Sequence, residues 1–228
     1  MSKTDALNPT TLNFASRVKH HQKEKKINLY LDLDETLIYS IDTRHRKTLP
    51  KHVEHFKCHD FENAYVILER PGLQDFLDWV FEHFSVSIWS AASPDYVDFI
   101  AKNIVSAKHR RLHRILNSDN CDHSMEIYGD DHLKKLDMLW EHYKLPNHGP
   151  DNTVLLDDLC LNMRSQPQNC VRVIKFLGTE KFVKDKHLET VKQKLQDILT
   201  HYKKKRRIDK SPIRVKKGGK MEKGGEGR

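Results

Sequence analysis

Ile27-Asn28-Leu29-Tyr30-Leu31-Asp32-Leu33-Asp34-Glu35-Thr36 decides how the rest of the chain is read. Its first half alternates and then runs apolar, Ile27-Asn28-Leu29-Tyr30-Leu31, as a buried strand of a parallel sheet does, because such strands are covered on both faces. The strand is predicted from about Lys26 to Leu33, and the acidic pair Asp32 and Asp34 closes it. In open α/β sheets the carboxyl ends of the strands border the functional crevice. Two carboxylates two residues apart can both face that crevice only where the strand is already opening into a loop.

Outward from this run, the polar, His-rich stretch from Ile38 to about Glu69, with Ala64-Tyr65-Val66-Ile67-Leu68 inside it, reads as a hairpin-like insertion. Arg70-Pro71-Gly72 punctuates the chain. Leu73, Phe76, Leu77, Val80 and Phe81 recur at helical spacing and predict an amphipathic helix from Leu73 to His83. Ser85-Val86-Ser87-Ile88-Trp89 is the next strand, and Ser93-Pro94 opens a helix through about Asn103. A short strand follows near Arg114 to Leu116. Leu133, Leu136, Leu139 and Trp140 mark a helix that carries Lys134 and ends near Tyr143. Thr153-Val154-Leu155-Leu156 is a strand ending in Asp157-Asp158, and Val171 to Ile174 is expected as the last central strand. Leu188, Val191, Leu195 and Ile198 place a closing helix from about Lys186 to Tyr202. Strands alternating with helices imply a three-layer α/β fold built on a parallel sheet, with a small β insertion after the first strand.

Strand and helix ends thus bring Asp32, Asp34, Ser90, Lys134, Asp157 and Asp158 toward one crevice. Phosphoryl transfer needs each of these groups. One carboxylate, assigned to Asp32, attacks phosphorus and splits one hard hydrolysis into two easier displacements. A second, Asp34, protonates the leaving alkoxide and then activates water. Carboxylates crowded against a dianionic phosphate require a hard cation with oxygen ligands, for which Mg2+ is the fit. Asp32, Asp157 and Asp158 are the candidate ligands, with the Asp34 backbone carbonyl beside them. Lys134 and the Ser90 hydroxyl would hold the phosphoryl oxygens.

Leu31-Asp32-Leu33-Asp34-Glu35-Thr36-Leu37 resembles the opening motif of the haloacid dehalogenase superfamily, and more narrowly its RNA polymerase II C-terminal-domain phosphatase, NLI-interacting-factor-like branch, which typically has Glu at the position of Glu35. Further matches follow in order: Leu68-Glu69-Arg70-Pro71-Gly72, Trp89-Ser90-Ala91-Ala92, Leu133-Lys134-Lys135-Leu136, and Leu155-Leu156-Asp157-Asp158. The resemblance spans roughly Lys26 to Leu199. It implies the superfamily's Rossmann-like three-layer fold and hydrolysis of protein phosphoserine or phosphothreonine through an aspartyl phosphate. Asp32 would be the nucleophile and Asp34 the acid and base, with Thr36, Ser90 and Lys134 on the phosphate. Asp32, Asp34, Asp157 and Asp158 would hold Mg2+. Ser90 stands where the family often has Thr, and Asp158 where the branch often has Asn. Lys135 competes with Lys134 for the family lysine. A small-molecule or nucleic-acid-end phosphatase and an inactive phosphopeptide- or polyanion-binding relative are the alternatives.

The expected layout is a polar extension over 1–25, a phosphatase domain over 26–202 with its insertion at about 38–69, and a basic tail over 203–228. The formal net charge of +8 belongs to that tail. From His201 onward 12 Lys or Arg stand against 3 Asp or Glu, a balance of +9, which leaves −1 for the first 200 residues. The tail is expected to be disordered. Its Lys203-Lys204-Lys205-Arg206-Arg207 cluster suits an importin contact and nuclear import, a weak nucleic-acid contact, or mere solubilisation. No apolar run approaches the ~20 residues that cross a bilayer, and no secretory signal is visible, so an intracellular monomer acting on a phosphorylated protein or peptide is expected. Cys58, Cys121, Cys160 and Cys170 lack a C-x-x-C pair and are read as reduced thiols. His52, His55, Cys58 and His59 invite a zinc reading, but no second ligand pair accompanies them.

Overall fold

The computed structural model describes residues 26–44 and 48–209. In chain order it contains β1 (Asn28–Leu31), β2 (Ile38–Asp42), β3 (Cys58–Phe61), β4 (Tyr65–Glu69), α1 (Leu73–His83), β5 (Ser85–Trp89) and α2 (Pro94–Ile100). There follow β6 (Ile115–Leu116), α3 (Ser118–Tyr128), α4 (Asp137–Glu141), β7 (Thr153–Asp157), α5 (Cys160–Ser165), β8 (Cys170–Arg172) and α6 (His187–Asp209). Five strands form a parallel sheet in the order β6-β5-β1-β7-β8, and three form an antiparallel sheet in the order β2-β4-β3. The α/β class and the β insertion are as the sequence implies.

The opening strand lies at the centre of the parallel sheet. All four of its residues are buried, and alternation sends them to two separate cores. Leu29 and Leu31 join Val86, Ile88, Val154 and Leu156 beneath α1, α2 and α6. Tyr30 joins Trp89 and Leu155 beneath α3 and α4. Each fully buried leucine here contributes about 1.5–3 kcal/mol through the apolar area it withdraws from water. Leu73, Phe76, Leu77 and Val80 supply the buried stripe of α1. That helix starts from Gly72, whose φ of 78° is a left-handed conformation a side chain would strain.

Several elements depart from the sequence expectation. Val171 lies in the edge strand β8, which ends at Arg172, and the Val173 N–H makes the last ladder bond, to the Asp157 carbonyl at 2.8 Å. The helix from Pro94 closes its α-helical part at Ile100 and runs on to Val105 as a wider π-type turn. Lys134 lies in a turn rather than on a helix, since α4 begins only at Asp137. The closing helix α6 runs past Tyr202 to Asp209, so Lys203 to Arg207 is helical backbone, not part of a disordered tail. Lys and Arg have good helix propensity and sit favourably at a helix carboxyl end. The calls for 1–25 and 210–228 lie outside the described residues. Among the described residues no helix is long and apolar enough to cross a membrane.

Candidate active site

Parallel register builds the site before any side chain is considered. Leu31 pairs with Leu156 on one side and Ile88 on the other, and the Asp32 N–H continues the ladder to the Leu156 carbonyl at 2.9 Å. Asp32 and Asp157 therefore emerge at the same rim of adjacent central strands. By alternation they share the face of Tyr30 and Leu155, the face from which Lys134 arrives. The chain then turns sharply: the N–H groups of Thr36, Leu37 and Ile38 all converge on the Leu33 carbonyl. Glu35 occupies the apex with φ at 59°, a conformation uncommon outside glycine.

Lys134 is the centre of the charge arrangement. Its ammonium donates to Asp32 Oδ1 at 2.5 Å and to Asp157 Oδ2 at 2.8 Å, with all three side chains buried. Lys135 points elsewhere, to Asp137 at 3.1 Å and the Ser165 carbonyl at 3.2 Å, so of the two lysines it is Lys134 that reaches the carboxylates. Burial pushes the Asp32 carboxyl up to about 7, against the Lys134 charge and helped by the neighbouring Asp157. Burial alone would lower the lysine, but the two carboxylates outweigh it and hold the ammonium well above its ordinary range. Asp157 also accepts from the Leu159 N–H at 2.8 Å and from Asn162 Nδ2 at 3.1 Å.

Asp158 follows directly after β7 and is buried like Asp32. Its Oδ2 lies 3.5 Å from Lys175, whose ammonium also pairs with Glu35. The Thr36 hydroxyl lies 2.7 Å from Asp32 Oδ2 and 3.0 Å from Asp158 Oδ1 and is fully buried. Its single proton serves one of these carboxylates at a time, which places the Thr36 hydroxyl beside Asp32 at the floor of the site. Ser90 is buried at the end of β5 and its Oγ accepts from the Ala92 N–H at 3.1 Å.

Oxygen atoms of Asp32, Asp157 and Asp158, all buried, lie within 4.8 Å of one another. Three hard carboxylate donors fit Mg2+ and offer nothing to a soft metal. Asn162 adds to the fit, since its Oδ1 is buried beside Asp157 with no hydrogen-bond partner among the described residues. The Asp34 carboxylate stands outside this group, consistent with a part for Asp34 through its backbone carbonyl alone. It accepts instead from Tyr96 Oη at 2.7 Å and lies 3.5 Å from Ser40 Oγ. Burial raises its pKa, against the Tyr96 hydrogen bond, the Lys134 charge and Ser40. The His52, His55, Cys58 and His59 set forms no such group among the described residues: Cys58 Sγ lies 3.6 and 3.3 Å from the carbonyls of Val53 and Phe56, and His59 bonds Glu69.

Arg70 fastens the acidic loop from behind. Its buried guanidinium donates to the carbonyls of Thr36 and Ile174, each at 2.9 Å, and to Asp185 Oδ2 at 2.6 Å. The Phe176 N–H adds a 2.6 Å bond to the Glu35 carbonyl. Sequence reasoning missed Tyr96, Asn162, Gln166 and Lys175. The Asn162 side chain alone has a local signal, lying five residues past Asp157 on the helix that follows it.

Three comparisons with known proteins bear on this geometry. The family model for NLI interacting factor-like phosphatases matches residues 27–207. A CTD phosphatase-like protein of Invertebrate iridescent virus 6 is 34% identical over 181 residues, which is 77% of this chain and 98% of that protein. The ubiquitin-like domain-containing CTD phosphatase 1 of Danio rerio is 26% identical over 196 residues, 81% of this chain, and the match spans about half of that longer protein, 55%. Among solved structures, the fission yeast RNA polymerase II CTD phosphatase Fcp1 bound to beryllium fluoride aligns with a TM-score of 0.49 and 20% identity, over 82% of this chain and 57% of that one.

Proposed function

This chain belongs to the NLI interacting factor-like phosphatase family of the haloacid dehalogenase superfamily, and on that premise we propose that it is a magnesium-dependent protein serine/threonine phosphatase working through an aspartyl phosphate on Asp32. The observation that carries the reading is the buried Lys134 ammonium shared by Asp32 and Asp157, with Asp34 held separately in the same loop.

In the first displacement an Asp32 carboxylate oxygen bonds to phosphorus as the bond from phosphorus to the serine oxygen breaks, and Asp34 gives that oxygen a proton. In the second, Asp34 takes a proton from water while the water oxygen displaces Asp32 from phosphorus. Thr36 and Lys134 hold the Asp32 carboxylate in place, and Lys134 offsets the charge gathered on the phosphoryl oxygens. Asp32, Asp157 and Asp158 would hold Mg2+, whose chemistry is to neutralise the phosphate as the nucleophile approaches. Support for a protein substrate comes from relatives whose own names describe CTD phosphatases.

The test is phosphate release from a phosphoserine peptide with Mg2+, with EDTA, and by Asp32→Asn. Release that needs Mg2+ and disappears in the folded Asp32→Asn variant supports the assignment. Undiminished release by the variant would remove Asp32 as nucleophile, and a preference for nucleotides over phosphopeptides would move the substrate class.

A further inference from the structure

Asp34 receives its hydrogen bonds from outside the parallel-sheet strands. Tyr96, on α2, is 7% exposed and donates to Asp34 Oδ1 at 2.7 Å. Ser40, on β2 of the insertion, contacts both the Tyr96 hydroxyl and the same Asp34 oxygen. The ring of Tyr96 is fixed by the insertion as well. Phe61 of β3 meets it edge-on at 5.5 Å and 87°, and Tyr65 of β4 at 6.1 Å and 71°.

Hydrogen counting gives this group a direction. Tyr96 has a single hydroxyl proton, and with that proton on Asp34 it can only accept from Ser40. The sequence of donors is therefore Ser40 to Tyr96 to Asp34 Oδ1. With Oδ1 accepting from Tyr96, and the carbonyl-type oxygen of a protonated carboxyl the better acceptor, a proton carried by Asp34 is favoured on Oδ2.

We propose that Tyr96, supported by Ser40, is a positioning residue that selects the Asp34 oxygen from which the leaving group is protonated, so that the inserted sheet sets the geometry of the acid. This deepens the phosphatase reading above and rests on it. In the step concerned, the Asp34 Oδ2–H bond breaks, the proton joins the departing serine oxygen as its bond to phosphorus breaks, and Asp34 is left as carboxylate.

An activated aryl leaving group needs no such proton, whereas a serine alkoxide does. The experiment measures kcat/KM, which covers steps only through the first irreversible transfer to Asp32. Para-nitrophenyl phosphate and a phosphoserine peptide are compared with Mg2+ for wild type, Tyr96→Phe, Ser40→Ala and Asp34→Asn. Tyr96→Phe keeps the ring against Phe61 and Tyr65. Its aryl-to-alkyl ratio of kcat/KM should rise about tenfold, the scale of one hydrogen bond to a carboxylate, with a smaller rise in the same direction for Ser40→Ala. An unchanged or lower ratio in Tyr96→Phe overturns the proposal. Should that variant not fold, the Ser40→Ala ratio decides by the same criterion. Asp34→Asn separates the two levels: if its ratio also stays at the wild-type value, Asp34 is not the acid and the underlying reading falls. A wild type inactive on both substrates removes both readings.

Discussion

Gln166 grips the backbone on both sides of Lys135, with Nε2 donating to the Lys134 carbonyl at 2.6 Å and Oε1 accepting from the Leu136 N–H at 2.9 Å. The buried side-chain amide supplies the pairing that a helix would otherwise have given this turn. That is how a lysine outside any helix is held firmly enough to reach two carboxylates.

Gln166→Ala should leave two buried backbone groups without partners, at about 1–3 kcal/mol each. Urea denaturation should show the loss, and phosphate release should fall with it because the Lys134 turn loosens. Gln166→Glu keeps an acceptor for Leu136 but sets a buried carboxylate oxygen against the Lys134 carbonyl, so it should be no more stable than Gln166→Ala.

Lys134→Met should cost more than any single contact, because it strands Asp32 and Asp157 as buried like charges. Breaking such an arrangement costs about 3–5 kcal/mol. The deficit against wild type should be largest near pH 8 and shrink on acidification or on adding Mg2+, since a proton or a cation each relieves the repulsion. A deficit indifferent to both would show that charge pairing is not what Lys134 supplies.

Glu69 gives a prediction about acid stability. Burial pushes its carboxyl up, but bonds from Lys57, Gln74 and His59 together outweigh burial and hold it below the ordinary 4.5. A depressed carboxyl stabilises the fold above its unfolded value, and that stabilisation is lost as pH falls through the lower folded value. Glu69→Gln should therefore be less stable than wild type at neutral pH, with the gap closing below about pH 4.5. Thermal melts from pH 3 to 7 would check it.

Gly178 has φ at 58°, and a β-carbon there would stand 2.6 Å from Tyr39 Cδ1 and 2.9 Å from Leu68 Cδ1. Gly178→Ala combines left-handed strain with a collision against the inserted sheet. It should destabilise the protein by about 1–3 kcal/mol, visible as a lowered Tm.

The elements legible in the sequence are those whose residues carry their own pattern. Leu73 to His83 and Ser85 to Trp89 match to the residue, because the apolar stripe of α1 and the short buried run of β5 each end on clear signals. Helix α3 had no stripe to read, since Ser118 to Tyr128 is mostly polar. Its trace was local: Asn117 accepts from the Asp119 N–H while Asn120 accepts from the Asn117 N–H, a reciprocal cap. At the site, Asp32, Asp34 and Asp157 announce themselves by charge at strand ends, and Lys134 by its place in the ordered family motifs. Tyr96, Gln166 and Lys175 do not, because each acts on a residue more than thirty positions away, where only the fold supplies the neighbourhood.

Arg70 has a consequence for how the protein comes to exist. Its partners are spread from the acidic loop to Asp185, so a chain leaving the ribosome carries Asp32 well before it carries most of what holds it. Lys134 emerges later to bond Asp32, Asp157 later again to share that ammonium, and Ile174 and Asp185 last to complete the contacts of Arg70. Truncated or half-made chains therefore possess the acidic motif without the charge balance that makes it a site. The charge balance of the site and the brace behind it are complete only once the chain has passed Asp185.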